Sequence, residues 1–131
     1  MNDFKISDML KTLYDAVAPV SLNRFVGNRP KTLTDKINDY IVVNLPASIR
    51  RRVIGSGYGA SSTVCAIELY ARDTAIGQSN ILKLDEMTQA TEALFPITAN
   101  GITASSPRVV MQSPDDTGFH CVIIHAALTL S

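Results

Sequence analysis

The stretch TVCAIELYAR, residues 63–72, decides how this chain is read. β-Branched and apolar side chains recur in it with period two, the signature of a β-strand. One face carries Cys65, Ile67, Leu69 and Ala71; the other carries Val64, Ala66, Glu68, Tyr70 and Arg72. A strand apolar on one face lies over helices and takes strand neighbours on both edges. The rest of the chain can be read as what covers this strand or pairs with it.

Upstream, DYIVVNLP (residues 39–46) reads as a second strand, with Tyr40, Val42 and Asn44 on one face and Ile41, Val43 and Leu45 on the other, closed by Pro46. Between the two strands lies ASIRRRVIGSGYGASS, residues 47–62, far longer than a tight turn requires. Ile49, Val53 and Ile54 extend the strand pair into a projecting hairpin arm, with residues 55–59 as its tip. Residues 7–17 read as a helix with Ser7 as cap and an apolar face of Ile6, Met9, Leu10, Leu13, Tyr14 and Val17. Residues 20–39 form a connector with room for a short strand. Downstream, Ser79 or Asn80 caps a second helix that reaches about Phe95 before Pro96. It places Leu84, Met87, Ala90, Thr91 and Leu94 on one face, with Ile81 at its start. After a connector around Asn100-Gly101, residues 108–112 make a third strand, SPDDTG a hairpin connection, and residues 119–130 a last strand apolar on both faces. The expected fold is therefore a single α+β domain over residues 1–131: a four-stranded, mainly antiparallel sheet packed by two helices, with a projecting β-hairpin arm.

Composition narrows the function classes. A chain of 131 residues with 46% apolar content can bury a core as one domain without disulfide staples. Zero formal net charge argues against a protein that coats nucleic acid with its whole surface. The charge is unevenly spread: residues 24–52 hold seven basic side chains against two acidic, a balance of +5, and residues 63–131 hold three against seven, a balance of −4. Opposite halves suit subunits that meet head to tail, or two halves that pair within one subunit. Cys65 and Cys121 fall on apolar strand faces and are expected to be reduced core thiols. No segment is apolar for long enough to serve as a signal peptide or a membrane span, so a soluble protein without membrane contact is expected.

The chemistry-bearing motifs are few. The glycines of GSGYGASS lack the following lysine and helix of a phosphate-binding loop, and lie between strands rather than between a strand and a helix. Arg50, Arg51 and Arg52 form the one run of three like charges. It fits a solvated arm, an acidic patch on a neighbouring subunit, or DNA phosphate with Tyr58 as a stacking partner. His120 and His125 are five apart on a strand, so they point to opposite faces and do not chelate one metal together. No serine or cysteine has a histidine placed as its base. The expectation is a protein that is not an enzyme, with no catalytic residue, cofactor or metal.

Taken in order, the helix MLKTLYDAV, the strand DYIVVNLP, the long hairpin, the strand TVCAIELYARD, the helix NILKLDEMTQATEALF and the closing apolar hairpin resemble the small tail-completion and tail-terminator proteins of tailed bacteriophages and prophages. That resemblance implies an α+β virion subunit that forms a ring, commonly hexameric, at the head-proximal end of the tail. It would cap the tail tube, meet neck or connector proteins and pass DNA through its channel, after assembling in the host cytoplasm. No motif transfers individual residues. On physical grounds the expected subunit interface is Arg50, Arg51, Arg52, Val53, Ile54 and Tyr58 of the arm, with Leu128 and Leu130 of the last strand. A small nucleic-acid-binding module using the arginine run and Tyr58 is the alternative.

Overall fold

A computed structural model describes residues 6–27, 37–45, 50–54, 57–74, 79–99, 101–111 and 118–130; of these, 6, 50–54, 57–62, 111 and 130 are described as backbone only. The chain order is α1 (Ile6–Ala16), β1 (Arg24–Val26), β2 (Asp39–Asn44), β3 (Arg50–Ile54), β4 (Gly57–Arg72), α2 (Ile81–Glu92), β5 (Ile97–Ala99), β6 (Ile102–Met111) and β7 (Phe119–Leu130).

The expected four-stranded, mainly antiparallel sheet packed by two helices is corrected. The sheet is mixed, and six strands follow one another in the spatial order β1-β2-β4-β7-β6-β5, with β3 pairing with β4 off that path. The parallel component is β1 on β2, with Arg24 opposite Ile41. Two strands, β1 and β5, have only three residues each, too few to show a period, and both lie in segments read above as connectors. The hairpin of β5 and β6 turns through Gly101, whose φ of 78° is the left-handed conformation that favours glycine.

The centre is β4, sixteen residues long and paired along residues 61–72 with β7. Its other edge is shared end to end. β2 takes residues 66–71 and β3 takes residues 57–62. The glycine-rich segment expected as the arm's tip is therefore partly strand, since the ladder resumes with Gly57 opposite Ile54. β6 also begins six residues earlier than the expected start at Arg108. The sequence hides that extension behind Pro107, which a bulge accommodates: two residues, Ser106 and Pro107, stand opposite Ala126 alone. Ser106 sits there at φ 55°.

Both helices pack on one face of the sheet. Met9, Leu13 and Val17 from the α1 side and Leu84 and Met87 of α2 meet Ile41, Val43, Cys65, Ile67, Leu69, Val122, Ile124, Ala126 and Leu128 in the main core. The period-two alternation of β4 and β7 supplies this face. α2 starts at Asn80, whose side chain accepts a hydrogen bond from the Lys83 amide at 3.2 Å. Ala90, expected in the buried face of α2, is exposed.

The opposite face bears a second cluster of Tyr40, Val42, Ala66, Tyr70, Phe119, Cys121 and Ile123, and no helix contributes to it among the described residues. Tyr40 stacks on Tyr70 with ring centroids 4.3 Å apart, and meets Phe25 and Phe119 edge-on.

Candidate functional site

The arm is defined by what β4 does beyond the sheet. β7 ends opposite Ser61, while β4 extends back to Gly57, so residues 57–60 of β4 have β3 as their strand partner among the described residues. Arg50 stands opposite Ser62 and Arg51 opposite Ser61; the register then shifts, and Val53 stands opposite Tyr58 and Ile54 opposite Gly57. The β3–β4 pair brings together Arg50, Arg51, Arg52, Val53, Ile54 and Tyr58 of the expected interface; Arg50 and Arg51 stand at its base, opposite residues that β7 still pairs, and Val53, Ile54 and Tyr58 lie in the two-stranded finger beyond. Leu130 is at its root, opposite Ser61 on β4 and Ile102 on β6. Leu128 is placed elsewhere: it is fully buried in the main core against the helices and is not offered to a neighbour. An apolar strand face is equally legible as core or interface, and here the helices claim it.

The far end of β4 is fastened by polar contacts. Asp73 accepts from His120 Nδ1 at 2.5 Å, and the Asp73 amide donates to Gly118 at 2.8 Å. Arg72 donates from Nε and Nη2 to the Ile37 carbonyl at 3.0 and 2.7 Å, and its guanidinium lies 4.6 Å from the Phe119 ring centroid. These contacts tie the end of β4 to the start of β7 and to the segment entering β2. Beside them Asp39 accepts from Ser21 Oγ at 2.5 Å and faces Lys83 Nζ at 3.4 Å. An open cavity of about 320 Å³ adjoins this group, lined by residues 18–23 and Asp39.

His125 is on the helix-free face opposite Arg108, and His120 is one residue after Phe119 at the strand's start. The two histidines are thus separated, and among the described residues no three His, Cys, Asp or Glu side chains gather to hold a metal ion. Cys65 and Cys121 lie in different clusters on opposite faces. Burial pushes the Cys65 thiol up to about 11. A raised thiol pKa is the reverse of what a nucleophilic cysteine needs. Asp115 and Asp116, the paired carboxylates of the SPDDTG connection, lie outside the described residues.

One surface was not foreseen from the sequence. At the start of α2, Ile81 and Leu82 are 64% and 83% exposed, beside exposed Asp85 and Glu86. The residue order carried one signal of this. Leu84, Met87 and Thr91 fix the buried stripe of α2, and Leu82 does not fall on it.

No protein-family profile matches the chain, and no curated protein does. Among solved structures 25 chains match. One of them, a protein whose name carries no functional description, superimposes with a TM-score of 0.63 at 16% identity, covering 95% of this chain and 92% of its own. At that identity the likeness shows a shared fold. Among the described residues no helix is long and apolar enough to cross a membrane.

Proposed function

We propose that this protein is a non-catalytic subunit of a bacteriophage or prophage virion, forming a ring at the head-proximal end of the tail. There it completes the tail tube and joins it to neck or connector proteins. The observation that carries this reading is the finger of β3 and β4, which outruns β7 and leaves a two-stranded ladder at one end of the sheet, with the arginine run at its base. A two-stranded ribbon is marginal alone and gains by packing on something else. The order of the longer elements also follows the resemblance: helix, strand, arm, strand, helix, then a hairpin ending in a long strand. No cofactor or metal has a part in this role.

The test is the mass of the particle in solution. Light scattering or sedimentation of the purified chain should give a species several times 14.2 kDa, seen as rings by negative-stain microscopy. A monomer at every concentration, with or without tail tubes added, overturns the reading. The competing nucleic-acid module rests on Tyr58 standing opposite Val53, next to the arginine run. It predicts salt-dependent DNA binding that disappears when Arg50, Arg51 and Arg52 are replaced by alanine.

A further inference from the structure

We infer that the first two turns of α2 are the dock for the β3 finger of a second copy of this chain, joined head to tail. The inference rests on the ring reading above and names its interface. The dock is an exposed apolar pair, Ile81 and Leu82, followed by exposed Asp85 and Glu86 along the same outward stripe. Large apolar side chains exposed next to one another and rimmed by polar groups mark interaction sites. The one basic residue of the helix, Lys83, has its ammonium 3.4 Å from Asp39 and 3.7 Å from Glu86, so one cation is shared between two carboxylates and the stripe keeps a net negative charge through Asp85 and Glu86.

The occupant follows from complementarity. β3 reads RRRVI, three guanidiniums and then two β-branched apolar residues. Set antiparallel to α2, the 53–54 end of β3 falls beside the start of the helix at Ile81 and Leu82, and the 50–52 end falls beside the turn that carries Asp85 and Glu86.

The start of α2 and the finger of one chain do not meet. Lys83 anchors the start of α2 to Asp39, which pairs with Ala71 near the end of β4, whereas Arg50 pairs with Ser62. Nine residues of strand separate those positions, about 30 Å at the usual rise. Two complementary patches at opposite ends of one strand make a heterologous contact, the kind that closes rings.

A charge exchange tests this. One variant carries Asp85→Arg and Glu86→Arg; the other carries Arg50→Glu, Arg51→Glu and Arg52→Glu. Circular dichroism checks that each is folded. Each alone should need about tenfold or more protein to assemble than the wild type, and an equimolar mixture should assemble near the wild-type concentration. Leu82→Glu, at a position already in solvent, should also weaken assembly. The inference is overturned if each exchanged variant assembles alone like the wild type, or if mixing restores nothing. If the wild type forms rings that the exchanges leave untouched, the dock fails and the ring stands. A wild type that never assembles removes both.

Discussion

The two faces of the sheet are closed in different ways. On one, aliphatic side chains of β2, β4 and β7 meet two helices, and closure is by area alone. On the other, Tyr40, Tyr70, Phe25 and Phe119 close over each other, with the Arg72 guanidinium laid on the Phe119 ring. The first device is tolerant of shape and costly to hollow out. The second depends on ring geometry and fixed polar tips, so it is graded: each ring contact adds a modest, directional increment.

That difference is measurable by hollowing each face once. Ile67 is fully buried at the middle of β4, opposite Val43 on one side and Ile124 on the other. Ile67→Ala should destabilise by about 3–4 kcal/mol, the transfer loss plus the cavity left under the helices. Phe119→Leu keeps most of the apolar volume but removes the edge contact to Tyr40 and the surface beneath Arg72, so about 2 kcal/mol is expected. Urea melts of the two variants rank the faces. Equal losses would mean that the aromatic face is held by burial as well, and the contrast drawn here would go.

The same contrast explains what could be read from residues alone. Alternation along residues 63–72 and 119–130 assigned both faces of β4 and β7, because one face of each strand is buried under helices and period two is then enforced. Length was harder. β4 continues through Gly57, Gly59, Ser61 and Ser62, where composition signals a turn, because pairing with β3 and β7 overrides propensity. β6 starts at Ile102 behind the small polar run of Thr103, Ser105 and Ser106, and its bulge removes the penalty that Pro107 would otherwise impose. The finger was legible as an arm from its excess length. Its dock was legible only in part: Leu82 falls off the stripe of Leu84, Met87 and Thr91, but adjacent apolar residues at a helix start also look like core.

The smallest effect expected separates the faces by pH. Cys65 lies on the helix-covered face and Tyr70 on the aromatic one. Burial pushes the Cys65 thiol up to about 11, and burial together with the hydrogen bond from Tyr70 to Glu68 raises the phenol well above its ordinary value. Both groups are neutral when protonated, so their contribution is fully present below the unfolded-state values. It is lost as pH rises, because the unfolded chain releases protons that the folded chain keeps. The thiol acts first, since its unfolded value is about 8.5 against about 10 for the phenol. Between pH 8 and 9.5 the wild type should therefore lose about 1 kcal/mol that Cys65→Ala does not lose. Above pH 10 the further decline should be shallower in Tyr70→Phe, which keeps the ring stack on Tyr40. Denaturation midpoints collected across pH 8–11 for the three proteins give the slopes. A Cys65→Ala slope identical to the wild type between pH 8 and 9.5 would show that the thiol titrates alike in both states, and that the helices leave that face open to water.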